Sequence, residues 1–154
     1  MTFGINVIAL TVYIAIQKVA PQLEWLLVLP LLVELFVFAL GLGLLLATLY
    51  VRFRDIGQVW EVVAQLLFFA AAIMYPVGIL PEWSQRVAFL NPFLQVMQDT
   101  RHVLLGGSSG PYDITAADVY GEAGHLVPIA IAIGVFVVGL TVFRREGRYF
   151  VERT

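Results

Sequence analysis

The sequence predicts an all-α integral membrane protein, with about four transmembrane helices and short external helices that are re-entrant or interfacial. Three observations predict it. Of 154 residues, 60% are hydrophobic and the mean hydropathy is +0.90, more apolar surface than a soluble domain of this size can hide from water. Several stretches approach the roughly 20 apolar residues needed to cross a hydrocarbon core. Arginine and lysine gather unequally at the ends of those stretches.

The first expected span covers about 3–19 and is the weakest, with Asn6, Thr11 and Gln17 inside it. No basic cluster precedes it, so it does not read as a secretory leader. A short turn around Pro21 leads to the second span, about 26–51, which carries one charge, Glu34. A charged turn follows, from Arg52 through Arg54 and Asp55 to Gly57. The third span, about 59–80, holds Glu61 and Gln65 near its start. The fourth, about 126–143, has no charge. Residues 144–154 form a charged tail, and 1–154 read as a single transmembrane domain.

Orientation follows from the short loops and ends. One side holds Arg52, Arg54, Arg144, Arg145, Arg148 and Arg153; the other holds Lys18, Arg86 and Arg101. The richer side reads as cytoplasmic. The chain is then a multi-pass protein of the cytoplasmic (inner) membrane, with both termini cytoplasmic and the long loop 81–125 outside.

That loop has its own helical signals. Asn91 suits an N-cap and Pro92 the first helical position. Phe93, Val96, Met97, Thr100, Val103 and Leu104 fall on one helical face, and Gln95, Gln98, Asp99 and His102 mostly opposite. Gly106 supplies a stop, and 106–110 a flexible turn. Thr115 and Asp118 have the spacing of a capping box. The apolar face of 93–105 is too short to span but long enough to lie in the interface or dip back into the protein.

Several chemistries are excluded. There is no cysteine, hence no thiolate site. The sole lysine, Lys18, does not follow a glycine, so no P-loop exists to bind ATP. A net charge of −2 argues against nucleic acid. His102 and His125 lack metal-ligand spacing. Residues 106–110 match G-x-S-x-G around Ser108, with His125 as an imaginable base. A helix precedes that serine where a nucleophile elbow needs a strand, so the segment reads as an external turn. No catalytic, cofactor-binding or metal-binding residue is expected.

Glu34 is the sharpest candidate. A carboxyl inside a span is costly and faces a bundle interior or a water-filled path, as a relay or as a paired structural group. Trp25, Tyr50, Trp60, Tyr75 and Trp83 fall near expected interfaces and read as an aromatic belt; Tyr75 could instead line a path for sugar rings. Ala39, Gly43 and Ala47, and Ala130 and Gly134, form small-residue stripes where helices could touch.

Together these segments resemble a known family. The second span contains Gly41-Leu42-Gly43 and Ala47, and runs into Tyr50, Arg52, Arg54 and Asp55. The third ends Tyr75-Pro76. Then come Leu90-Asn91-Pro92-Phe93 and Arg101-His102-Val103-Leu104-Leu105-Gly106. Their order and spacing over roughly 36–152 resemble the membrane subunit of type-2 ABC exporters, in particular the branch that exports O-antigen, teichoic acid or capsular polymer. The resemblance implies a homodimer among membrane lipids, driven by a separate ATP-binding subunit that holds ATP and magnesium. A glycan or lipid-linked polymer would pass between the two membrane subunits. It implies further N-terminal spans and a coupling helix, because the chain starts at what resembles the family's third span. It would place Arg52, Arg54 and Asp55 at the cytoplasmic mouth, facing a pyrophosphate or simply anchoring the positive side. Asn91 and Pro92 would set the re-entrant helix, and Arg101 would pair with Asp99 or Glu82 or fix an outer gate. Alternatives are a type-2 exporter of drugs or lipids, and a secondary transporter using Glu34.

Overall fold

The computed structural model describes Ile5 and residues 23–53, 55–71, 75–105 and 114–150, the last four by backbone alone. The expected first span, together with Lys18, Arg54 and Ser108, lies outside the described residues. Every element among the described residues is helical: a 3₁₀ segment Leu23–Leu27, α1 Val28–Arg52, α2 Ile56–Ala70, a 3₁₀ turn Val77–Ile79, α3 Glu82–Ala88, α4 Pro92–Leu105, α5 Ala116–Tyr120 and α6 Leu126–Phe150.

α1 is rich in leucine and alanine, and its one proline, Pro30, falls in the first turn, where no intrahelical donor is lost. A candidate span of 29 residues, Glu24–Arg52, takes in all but the first residue of the 3₁₀ segment and is ended by extended backbone at Phe53. α6 supplies a second apolar stretch, Leu126–Glu146. Only 6% and 17% of the most apolar windows of these helices are buried, so neither is the core helix of a water-soluble fold. Leu29, Leu32 and Phe36 on α1, and Val137 and Val138 on α6, turn apolar side chains outward, as lipid-facing positions do.

Two expected boundaries change. The helix foreseen over 59–80 starts earlier, at Ile56, and closes at Ala70 after 15 residues, roughly 22 Å, short of the roughly 30 Å hydrocarbon thickness. The apolar run continues to Leu80, but Pro76 cannot sit inside a helix, and Val77–Ile79 is a separate 3₁₀ turn. At the other end, α6 carries the helix on through Arg144 and Arg145 to Phe150, so the first part of the expected tail is helical.

α1 and α6 are parallel neighbours. Gly41 lies against the backbone of Val135 and Phe136, and farther along both helices Arg52 reaches Glu146. A Cβ on Gly41 would fall 2.5 Å from the Phe136 backbone, and one on Gly139 would strike the Gly41 carbonyl. Both clashes are with main chain, which cannot swing aside, so these two glycines set how closely the helices approach. The expected small-residue contacts at Gly43 and Gly134 are not the ones used: a Cβ at either meets nothing within 4 Å.

Residues 77–105 and 114–120 fold over one end of this pair. Val77, Phe89, Leu94 and Ala116 are fully buried together, with Leu80, Ile114, Val119 and Tyr120 around them. Burying Phe89 and Leu94 is worth about 2 kcal/mol each. The Tyr120 hydroxyl donates to the Arg86 carbonyl, and Gln85 Nε2 donates to the Leu80 carbonyl at 2.6 Å, tying α3 to its neighbours.

Candidate functional site

The Asn91 carboxamide starts α4: its Oδ1 accepts the Phe93 N–H at 3.1 Å, with buried Pro92 as first helical residue. The helix then buries apolar and polar side chains together: Leu94 and Val96 are 0% and 3% exposed. Gln95, Gln98 and Asp99, placed by their spacing mostly opposite the apolar face, are 0%, 3% and 3% exposed, whereas Phe93 is 39% exposed. In a membrane protein the buried polar groups must find partners inside the protein.

Asp99 finds them. Its Oδ2 accepts from Gln95 Nε2 at 2.5 Å and lies 3.0 Å from His125 Nδ1; its Oδ1 accepts the Ala116 N–H at 3.2 Å. One carboxylate thus joins α4 to the first turn of α5 and to the residue preceding α6. Two local devices bring those partners to it. Thr115 and Asp118 form the capping box: Asp118 Oδ2 accepts from the Thr115 N–H at 2.8 Å, and the Asp118 N–H reaches Thr115 Oγ1. Those hydrogen bonds with Thr115 hold the Asp118 carboxyl below its ordinary value. Gly121 ends α5 with φ +85°, a left-handed conformation suited to glycine, and the tight turn after it sets His125 beside Asp99.

Glu34 of α1 completes the cluster. It is 9% exposed, it lies near enough to Asp99 to feel its charge, and its Oε1 is buried without a hydrogen-bond partner. Gln95 Oε1 is likewise buried without a partner. Glu34, Gln95, Asp99, His102 and His125 share the wall of a cavity of about 590 Å³, whose remaining lining is chiefly aliphatic, from Leu31, Val37 and Ile129 among others.

Of the transport-path and gating candidates among the described residues, only Glu34 lines this cavity. Arg52 lies at the far end of α1, its Nη1 3.9 Å from Glu146 Oε1 and its guanidinium 5.7 Å from the Phe53 ring centre. Asp55 starts α2, with its carbonyl accepting the Gln58 N–H at 3.2 Å and no side-chain cap. The Tyr75 hydroxyl donates to the Phe69 carbonyl at 3.1 Å, closing the end of α2. Arg101 is exposed, and the pairing expected with Asp99 is not formed: both Asp99 oxygens are taken by other donors. The sequence reading missed the union of Asp99, Gln95 and His125. The available signal was the run of polar residues on one face of a short helix inside a membrane protein.

Three comparisons bear on this geometry. The family model described as ABC-2 type transporter matches residues 1–105. An O-antigen export system permease protein RfbA of Klebsiella pneumoniae is 23% identical over 144 residues, which is 93% of this chain and 51% of that protein. A second protein of the same name and organism is 23% identical over 96 residues, 62% of this chain and 37% of the relative. The chain thus spans about half the length, or less, of the curated relatives it matches. No solved structure matches.

Proposed function

The chain belongs to the ABC-2 type transporter family, and from that premise we propose that it is membrane-subunit sequence of an exporter carrying a polysaccharide or lipid-linked glycan of the O-antigen class across the cytoplasmic membrane. The observation that carries the reading is the family match over 105 residues, joined to the similarity to O-antigen export permeases along 93% of the chain. Membrane residence is supported by two helices long and apolar enough to span, both turning apolar side chains outward.

In this reading ATP and magnesium sit on a separate ATP-binding subunit, and two copies of the membrane subunit flank the polymer. Hydrolysis on the partner shifts the membrane helices as rigid bodies. Arg52, at the charge-rich end of α1 beside Glu146, belongs to the cytoplasmic mouth together with Arg54 and Asp55. Asn91 and Pro92 act by starting α4, the external helix that dips against α1. Teichoic acid and capsular polymer are the related substrates to compare. Drug or lipid export on the same fold is the nearest alternative.

The test is capture of an O-antigen-type ATP-binding subunit in detergent. The tagged chain is used as it stands and also joined to the N-terminal half of its O-antigen relative. Co-purification with either form, and ATP hydrolysis stimulated by it, is expected. Failure of both forms, each helical and monodisperse, sinks the proposal. A second reading is favoured by one observation, the buried unpartnered Glu34 carboxyl at the cavity wall. It makes the chain a secondary transporter, and it requires ion flux in proteoliposomes without any ATPase, abolished by Glu34→Gln.

A further inference from the structure

The cavity between α1, α4 and the start of α6 has a one-sided inventory of hydrogen-bonding groups. Asp99 is satisfied: three donors occupy its two oxygens, and His125 supplies a neutralising partner when protonated. Thr115 is spent on Asp118. Beside the His102 and His125 rings, the buried polar atoms of the wall that lack a partner are Glu34 Oε1 and Gln95 Oε1, both acceptors, on side chains 9% and 0% exposed. No ion pair includes Glu34 among the described residues, and another carboxyl, that of Asp99, shares the same wall. A buried acceptor left without a donor costs roughly 1–3 kcal/mol, and more when charged, so the site is built to be completed.

The rest of the wall says what completes it. Leu31, Val37 and Ile129 give an aliphatic surface, and about 590 Å³ holds a chain of several carbons as well as a small head. We propose that this cavity is a binding site for a primary amine carried on an apolar body, its ammonium donating to Glu34 and Gln95 while the hydrocarbon lies along α1 and α6. An ammonium brings three N–H donors and a positive charge, against two open acceptors and one unpaired carboxyl. An anionic head would meet Glu34 and Asp99 as like charges. A quaternary ammonium would bring charge without a donor. The amine can come from an aminolipid of the bilayer or from a soluble amphiphile, and the chemistry of recognition is the same.

The experiment uses the full chain in phosphatidylcholine nanodiscs, with octylammonium as probe and saturation-transfer NMR as readout, empty nanodiscs subtracted. Saturable binding of octylammonium is expected, about tenfold weaker for octyltrimethylammonium and for octanol, since each lacks half of what the site reads. Glu34→Gln keeps the shape and removes the charge, and it should weaken the probe about tenfold. Ile133→Trp leaves both acceptors in place and fills the cavity, and it should abolish binding. Helicity and monodispersity are checked for each variant, and a variant that fails them is replaced by Val33→Trp from the same wall. Phosphatidylethanolamine added to the discs displaces the probe if an aminolipid is the natural occupant; no displacement assigns the site to soluble amines. Binding no greater than to empty discs, equal binding of octanol, or full binding by Glu34→Gln overturns the proposal and leaves ordered water as the partner of the two acceptors.

Discussion

Where α1 meets α6, the chain removes side chains; where α4 meets α1, it keeps polar ones and turns them inward. Gly41 and Gly139 let two backbones touch, and attraction there is van der Waals contact summed over a long seam. In the cap, Asp99 collects donors from three directions over a small apolar core around Phe89 and Leu94. The seam fails when something is added to it, and the cap fails when something is taken away. Each region can therefore be broken by a change that the other would tolerate.

The largest effect is expected at the seam. Gly139→Leu should separate α1 from α6 and cost about 3 kcal/mol or more, because the obstacle is the Gly41 carbonyl and not a movable side chain. Gly134→Leu, a few residues away on the same helix but facing open space, should stay within about 0.5 kcal/mol. Equal losses for the two, measured by thermal melting in one detergent, would dissolve the distinction between seam and surface.

Next comes the cap. Asp99→Ala strands the Gln95 amide, His125 and the Ala116 N–H at once, and should cost about 3 kcal/mol. Hydrogen exchange should rise at residues 116–120 and stay unchanged in the middle of α1. A rise spread evenly over both would mean that cap and seam unfold as one unit.

A smaller effect is expected in acid. The Asp118 carboxyl lies below its ordinary 3.8 in the folded chain because Thr115 donates to it. A depressed folded value means its contribution is complete above 3.8 and disappears as pH falls through the lower, folded value. The start of α5 should loosen in that window, and Asp118→Asn should remove the pH dependence. The smallest effect is at Arg52→Gln, within about 0.5 kcal/mol, because its 3.9 Å pair with Glu146 is solvent-exposed. A large, salt-sensitive loss would show that this end of the pair is held by charge.

The two long helices were legible because composition alone determines them: roughly 20 apolar residues have few other fates. The end of α2 was not, since hydropathy runs on to Leu80 while Pro76 interrupts the hydrogen-bond ladder. The period of α4 was legible, but which of its residues are enclosed was not: Val96 from the apolar face and Gln95, Gln98 and Asp99 from the polar one are all buried. Choosing Gly41 and Gly139 over Gly43 and Gly134 needed the crossing geometry, which spacing by four does not contain. Asp99 and His125 are far apart in sequence, and the turn at Gly121 brings them together.

α6 begins at the residue after His125 and continues without a break past Arg144 and Arg145. Its 25 residues make a rod of about 37 Å. A stiff rod has no slack: a tilt or slide imposed at one tip arrives at the other with its amplitude intact, as in a camshaft. The glycine contact with α1 lies partway along and serves as the bearing on which such a rod turns. Whatever loosens the grip of Asp99 on His125 would then be felt among the arginines at the other end of α6, with no need for a chain of intervening side-chain rearrangements.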